Sequence, residues 1–415
     1  MGNAVDFGSW VAGWTALAFV VSYGIFVLVN ARANHRAREA LDYRILVTGS
    51  RGKSGTVRLV HAALSGDFRV YSKVSGVAAR ERRGDGSEIP TPRAGTTSVC
   101  ELPQAMRRAA KDLADVGVFE CMAVTPSLIE LVQKSHIRAH MVVIPTIRLD
   151  HLEEEGLSEF EIGKSIFDSI NRCDVVITAV TQPDIVQYYR EQSERHSIEL
   201  IEVDPREGGV AIRGHHPTNA VLALQVAEYL GLELRHARSN MERASLEPHA
   251  LEGYQVRRAN GHTVTLIDLG SANDPESSWE AFASLERESQ VLVPVMVNRW
   301  ERPLRAISFF ASLRQHFEVV GVAGGLARWM NTRHHHHLYR DSVVHTPTTF
   351  FSLTRSLVRD PEKLAQEMSN HLGQDVEQLA LVLVENVHEP TADILRNTFR
   401  RRGTMVRLDQ MGAHV

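Results

Sequence analysis

Between residues 43 and 230, short runs of β-branched and apolar residues alternate with longer stretches in which apolar positions recur every three to four residues. The first run, Tyr43 to Thr48, leads into a glycine-rich turn and then a helical pattern from about Lys53. Runs at Val116 to Phe119, Met141 to Ile144 and Val175 to Val180 are each followed by a polar helical stretch. Near-continuous apolar strands with helices between them form parallel sheets covered on both faces, so the pattern predicts an α/β domain with a mostly parallel sheet. In Ala220 to Leu230, residues Val221, Leu222, Leu224, Val226, Ala227 and Leu230 make one broad helical stripe, and Gly231 supplies a stop. A second alternating series runs through His262 to Leu269, Val291 to Val297, Val319 to Val322 and Leu381 to Val384, and predicts a separate, smaller α/β domain. Ser245 to Arg258 is polar and without clear periodicity, which makes it the expected boundary.

The N-terminal pattern differs from both series. Trp10 to Val29 holds about twenty residues without a charge, the length that spans a bilayer core. Three arginines follow, Arg32, Arg36 and Arg38, against a lone Asp6 on the other side. The excess of positive charge on cytoplasmic flanks then predicts a single-pass N-terminal anchor in the cell membrane with the C-terminal bulk of the chain in the cytoplasm. A cleaved signal peptide would have a shorter apolar region, basic residues before it and a small-residue cleavage site after it. The organisation expected is a transmembrane helix over 9–30, a basic cytoplasmic linker over 31–42, a central domain over 43–247 and a C-terminal domain over 248–415.

Composition narrows the class without naming it. The chain has 415 residues, enough for two domains that each bury a core. With 46 basic and 50 acidic residues the net charge is -4, too little positive field to gather a nucleic-acid backbone, so no nucleic acid is expected as a partner. Cys100, Cys121 and Cys173 lack the paired short spacings of a zinc site or disulfide framework and fit reduced thiols. His334 to His337 form a tetrad beside Arg333 and Arg340, open to metal binding but read first as a solvated loop.

The strongest chemical signal follows the first strand. In Gly49-Ser50-Arg51-Gly52-Lys53-Ser54 the glycines let the backbone turn sharply and aim amide N–H groups at an anion, and the following helix adds its positive end. Lys53 can reach terminal phosphates and Ser54 can hold Mg²⁺. Val47 stands where a standard Walker A loop has its first glycine, so that pattern is incomplete.

The shorter form resembles the ATP loop, G-T-x-G-K-[ST], of the Mur ligase and folylpolyglutamate synthase superfamily. Arg51, with Val57-Arg58-Leu59 after the loop, resembles the ligase subunit of poly-γ-glutamate synthases, the PgsB/CapB type, whose loop reads G-x-R-G-K-S followed by V-T-R-L. Further similarities keep the family's order. Glu120-Cys121-Met122-Ala123-Val124-x-Pro126 is similar to E-C-M-A-V-x-P, Asp150-His151 with Gly156 to a D-H…G stretch, and Asn219-Ala220 to an N-A segment near the adenine. Ser271-Ala272-Asn273-Asp274 is similar to A-A-N-D, Asn298-Arg299-x-x-Arg302 to N-C-R-A-D-R, and Asn386-Val387-His388 faintly to a later N-x-H.

The resemblance implies a Mur-ligase-like central domain with a P-loop, a smaller Rossmann-like C-terminal domain, and an ATP-dependent isopeptide ligase using Mg²⁺. It implies that Lys53, Glu120 and His151 are catalytic, that Gly49, Ser50, Arg51, Gly52, Lys53, Ser54, Asn219 and Arg299 bind ATP, and that Ser54, Glu120 and His151 hold metal. Arg80, Asn273, Asp274 and Arg302 would meet substrate or an acyl phosphate, as arginine forks suit carboxylates and phosphates. Lys164 stands where Mur enzymes carry a carbamylated lysine, though a helix-surface lysine is the simpler reading. Implied partners are glutamate and the growing poly-γ-glutamate chain, a multi-pass membrane subunit and an export-associated subunit; a homo-oligomer is left open. Two segments depart from the family: Val74-Ser75-Gly76-Val77-Ala78-Ala79-Arg80 replaces T-T-G-T-D-A-R and loses its acidic residue, and Ala94-Gly95-Thr96-Thr97 replaces a G-P-N-I-G segment. They leave open a Mur-like ligase for another carboxylate acceptor, and, from a different class, a nucleotide-binding membrane scaffold without ligase activity.

Overall fold

In the computed structural model, residues 7–75, 79–93, 97–149, 156–204, 212, 215–243, 252–269, 275–285, 290–300, 302–324, 348–386 and 389–407 are described. Two compact units divide the chain, one of Met1–Ile147, Gly163–Ile212 and Pro217–Ala244, the other of Arg148–Ile162, Arg213–His216 and Ser245–Val415.

The first unit opens with one long helix, α1 (Phe7–Glu39), whose apolar stretch is long enough to cross a membrane. It runs without a break through the basic segment expected to be a linker. Its C-terminal end is part of the unit: Ala37 and Leu41 are buried, Arg107 Nη1 donates to Asn30 Oδ1 at 2.9 Å, and Arg38 Nη1 donates to the Ser135 carbonyl at 2.6 Å.

After α1 come β1 (Tyr43–Val47), α2 (Lys53–Leu64), β2 (Val70–Val74), β3 (Arg80–Arg82) and β4 (Glu88–Pro90). The chain continues through α3 (Glu101–Lys111), β5 (Val116–Glu120), α4 (Pro126–Leu131) with a π-turn at Val132–Ile137, β6 (Met141–Ile144) and α5 (Glu159–Ile170). β7 (Val175–Thr178), α6 (Pro183–His196), β8 (Glu199–Glu202), α7 (Pro217–Tyr229) and α8 (Leu234–Glu242) complete it. The sheet order is β4-β3-β2-β5-β1-β6-β7-β8. Every pairing is parallel except β2 with β3 and β3 with β4, which add an antiparallel edge to the parallel body. Ile45, Val47, Val118, Val143 and Ile177 meet α2, α7 and α8 through Val57, Val60, Leu222, Val226 and Met241. The alternate residues Leu46, Phe119, Val142 and Val176 are buried as well, so both faces are covered and the strands read as unbroken apolar runs.

The second unit contains β9 (Glu252–Arg257), β10 (Thr263–Asp268), α9 (Pro275–Leu285), β11 (Val291–Asn298), α10 (Pro303–Leu313) and β12 (Val319–Gly324). β13 (Thr349–Ser352), α11 (Pro361–Leu372), β14 (Gln378–Val384), α12 (Pro390–Arg402) and β15 (Thr404–Arg407) follow. Its order is β13-β12-β11-β14-β10-β9-β15, parallel except where β9 meets β10 and β15. Period-2 alternation divides β14 between two cores. Leu379, Leu381 and Leu383 pack with Met368 of α11 and Phe399 of α12, while Ala380, Val382 and Val384 pack with Phe282 of α9 and Phe309 of α10.

The polar segment Ser245 to Arg258, expected as the boundary and without clear periodicity, contains β9. Most of its side chains are only half-buried, so the strand lacks the apolar alternation that would reveal it, and its antiparallel register with β10, Thr263 opposite Arg257, supplies the order instead. Residues 244–251, where the domain boundary at 247 and 248 was expected, lie outside the described residues.

Candidate active site

β1 ends at Val47, which is fully buried and paired with Glu120, the last residue of β5; on its other side Thr48 N donates to Val143 O of β6 at 3.0 Å. The chain leaves β1 toward β2 on one side and later builds β6 on the other. Strand order therefore reverses at β1, and the carboxyl end of such a switch point is where doubly wound sheets receive ligands. Val47 is a core strand residue, which explains why no glycine stands there: the turn begins at Gly49.

Two of the loop's backbone positions need glycine. Gly49 has φ +129° and Gly52 φ +78°, both strained for any side chain. A Cβ on Gly52 would lie 2.7 Å from Asn219 Oδ1 and 3.1 Å from Pro145 Cβ. The loop is tied to the end of β6, where Ser50 N donates to Thr146 O at 3.0 Å and Thr146 Oγ1 to Arg51 O at 3.4 Å. Gly52 then caps α2 in a left-handed conformation, and Thr56 N makes the helix's first hydrogen bond back to Gly52 O at 2.8 Å. The positive end of α2 thus opens directly behind the glycine turn.

Lys53 Nζ donates to the loop's own carbonyls, Gly49 O and, at 3.0 Å, Ser50 O. Ser54 Oγ donates to Glu120 Oε2 at 3.0 Å, and Ser75 N donates to the same oxygen at 2.6 Å. A hydroxyl and a buried carboxylate side by side, ahead of an amide-lined turn too narrow for a Cβ, are hard oxygen donors of the kind Mg²⁺ takes, set beside a cradle of the kind phosphates take. Cys121, next to Glu120, has its thiol pushed up to about 11, first by burial, so it stays protonated and offers no thiolate nucleophile.

The other sequence-predicted residues are dispersed. Asn219, near the start of α7, is buried against the loop and accepts from Thr56 Oγ1 at 3.1 Å. Lys164 lies on the surface of α5, 2.6 Å from Asp168 Oδ2 and 3.1 Å from the Tyr188 hydroxyl. The Asp168 hydrogen bond raises its ammonium above the usual range, which opposes the neutral amine that carbamylation needs. Arg80 opens β3, 3.9 Å from Glu88 Oε1. In the second unit Arg299 and Arg302 lie between β11 and α10, with Arg302 N donating to Arg299 O at 3.1 Å. Asp150, His151, Asn273, Asp274, His334 to His337 and His388 lie outside the described residues. Among the described residues no group of three or more His, Cys, Asp and Glu gathers as a metal cluster.

Two polar networks escape the motif reading. In the first unit the Ser75 amide holds Glu120, although the sequence marks that segment only as a departure from a family pattern. In the second, Glu385 is fully buried at the end of β14 with φ +85°, and burial pushes its carboxyl up against the opposing pull of Arg305. Arg305 Nη1 donates to Asn386 Oδ1 at 3.0 Å and Asn386 Nδ2 to Val297 O at 2.7 Å, which ties the ends of β14 and β11 together just before Arg299. Polar residues at the ends of two apolar strands were the available signal.

Known proteins match this arrangement along most of the chain. Residues 47–215 match the Mur ligase middle domain, and residues 253–402 the poly-gamma-glutamate synthase CapB C-terminal domain. The capsule biosynthesis protein CapB of Bacillus anthracis is 26% identical over 70% of this chain and 64% of its own length, so the match covers just under two thirds of that relative. The PGA synthase CapB of Bacillus subtilis (strain 168) is 24% identical over 73% of this chain and 79% of its own length. A folylpolyglutamate synthase of Mycobacterium tuberculosis, solved in complex with ADP and AMPPCP, superposes with a TM-score of 0.59 over 91% of this chain and 96% of that one, at 19% identity, a likeness of fold. A Mur ligase middle domain continued by a poly-gamma-glutamate synthase CapB C-terminal domain is therefore the architecture of this chain, in the order its sequence motifs implied.

Proposed function

We propose that this chain is a membrane-anchored, ATP- and Mg²⁺-dependent ligase that joins glutamate through its γ-carboxyl into poly-γ-glutamate. The observation that carries the proposal is the Ser54–Glu120 donor pair, 3.0 Å apart, ahead of a glycine turn at the sheet's switch point. The match to a poly-gamma-glutamate synthase CapB C-terminal domain supports glutamate as substrate, and the nucleotides in the folylpolyglutamate synthase support ATP.

In this reading the loop Gly49-Ser50-Arg51-Gly52 and the start of α2 hold the phosphates, and Lys53 neutralises the phosphoryl group that is transferred. Ser54 and Glu120 would hold one Mg²⁺ and His151 a second. Bound Mg²⁺ supplies charge neutralisation on the phosphoryl oxygens. The substrate's terminal carboxylate takes the γ-phosphoryl to give an acyl phosphate and ADP. An incoming amine then attacks the acyl carbon, phosphate leaves, the amine gives up a proton, and an isopeptide bond remains. Arg299 is a further nucleotide contact, and Arg80, Asn273, Asp274 and Arg302 are substrate or acyl-phosphate contacts. The gain comes from positioning and electrostatics more than from a covalent enzyme intermediate. A multi-pass membrane subunit and an export-associated subunit complete the synthase, and α1 holds the chain in the cell membrane with its catalytic units in the cytoplasm.

Membranes carrying the chain and its partner subunits, given ATP and labelled glutamate, are expected to make an ATP-dependent polymer that resists α-peptidases. No polymer with the partners present would overturn the proposal. Lys53→Ala is expected to lower amino-acid-dependent ADP release at least about 100-fold; full activity in that variant would count against the mechanism. A nucleotide-binding scaffold would release no ADP in response to any amino acid. Because Val77-Ala78-Ala79 lacks the family's acidic residue, other carboxylate acceptors belong in the same assay.

A further inference from the structure

Lys73 on β2 is fully buried, yet the chemistry above leaves it without a role. Its neighbours form one continuous line into the active site. Arg93 Nε donates to Glu101 Oε1 at 2.8 Å, Arg93 Nη2 to Glu101 Oε2 at 3.1 Å, and Ser98 N to Glu101 Oε1 at 3.3 Å. Glu101 Oε2 lies 3.1 Å from Lys73 Nζ, and Lys73 Nζ donates to Ser75 Oγ at 2.8 Å. The Ser75 amide donates to Glu120 Oε2 at 2.6 Å, and Ser54 Oγ reaches that oxygen at 3.0 Å. Lys73 lies opposite Phe119, the residue before Glu120, in the β2–β5 register.

A buried ammonium is expensive to desolvate, and a buried ion pair is often no more stable than apolar residues filling the same space. Burial pulls the Lys73 ammonium below its usual range, and Glu101 is the first group opposing that pull. Stability alone therefore does not explain an ion pair here. Orientation does: Lys73 gives its protons to Ser75 Oγ and Glu101 at once, which pins the end of β2 and aims the Ser75 amide at Glu120. Two donors on one carboxylate oxygen then set the carboxylate's rotation.

We propose that Lys73 and Glu101 are positioning residues that act through Ser75 to hold the Glu120 carboxylate in the orientation that receives the divalent cation. This rests on the reading of Glu120 as a cation ligand. It also gives the two segments that depart from the family pattern a mechanical link to the metal, because Glu101 holds Arg93 and Ser98 on one side while Lys73 holds Ser75 on the other.

The test uses the full chain in detergent, with Mn²⁺ as the probe by paramagnetic resonance in the presence of ADP, and ADP binding in EDTA as the metal-free control. Lys73→Met is expected to weaken Mn²⁺ binding at least about tenfold while metal-free ADP affinity stays within about twofold of wild type. Mn²⁺ affinity within twofold of wild type in a folded Lys73→Met protein would overturn the proposal. Equal losses with and without metal would also overturn it, since they mark general damage to the fold. Should Lys73→Met fail to fold, Ser75→Ala and Glu101→Gln decide: each is expected to weaken Mn²⁺ binding at least about threefold, and wild-type affinity in both sinks the idea. A wild-type chain that binds ADP but shows no Mn²⁺ binding beside it would overturn the reading of Glu120 itself, a result distinguishable from failure of the variants alone.

Discussion

At Gly52 the backbone φ of +78° and the 2.7 Å that would separate an added Cβ from Asn219 Oδ1 impose separate demands, one conformational and one steric. Alanine would meet neither, and the strained φ together with the displaced Asn219 should cost about 2 kcal/mol. Gly52→Ala is expected to lower the chemical denaturation midpoint accordingly and to weaken nucleotide-analogue binding at least about tenfold; unchanged binding would show that the turn is not the phosphate cradle. Lys164 supplies the opposite case. Its ion pair with Asp168 on an exposed helix face is of a kind worth little, so Lys164→Ala is expected to keep ligase turnover within about twofold. A larger loss would restore the carbamylated-lysine reading. At this scale the sequence was informative where residue type is dictated by local backbone, as at Gly49 and Gly52. It was silent on Lys73 and Glu101, because nothing in a residue's neighbours along the chain shows that a lysine will be fully buried.

Helix α2 carries the loop at its start and His61 near its end. His61 is buried, and burial, with the Arg82 guanidinium adding to it, pushes its imidazole down to about 3. The ring is neutral in the fold, while an unfolded histidine titrates near 6.5. His61 therefore contributes stability that is fully present above about pH 6.5 and is lost as pH falls from there toward 3. Urea midpoints measured between pH 7 and 4 should show wild type losing stability faster than His61→Leu, by about 1 kcal/mol per pH unit below 6.5; parallel curves would remove His61 from the account. Elements buried on both faces, such as β1, β6, β11 and β14, were legible because nearly all of their residues are apolar. β9 was not. With most of its side chains half-buried, its existence depends on register with β10 and β15, and that partnership carries no local pattern.

For the whole molecule the decisive feature is that α1 serves two environments. Its apolar part is exposed, with Trp10, Phe19 and Phe26 all facing outward, whereas Asn30, Ala37 and Arg38 are tied into the first unit. Of the three arginines that set the predicted orientation, Arg38 is turned inward onto the Ser135 carbonyl, and Arg32 and Arg36 remain exposed. Removing residues 1–29 is expected to move the protein from the membrane pellet to the soluble fraction while ADP binding stays within about threefold, because the docked part of α1 is kept. Protein that still sediments with membranes would point to a second attachment. Hydrophobic periodicity, length and the glycines after β1 were enough for the sequence to determine a long apolar N-terminal helix, two α/β units and a tight turn ahead of α2, since each follows from which residues can meet water or adopt a glycine backbone. Only the tertiary structure decided that the Ser75 amide meets Glu120, that Asn219 closes on Gly52, and that a buried lysine stands behind them. Those contacts join residues far apart in the chain through strand order, and strand order is set by packing of the whole sheet rather than by any local pattern.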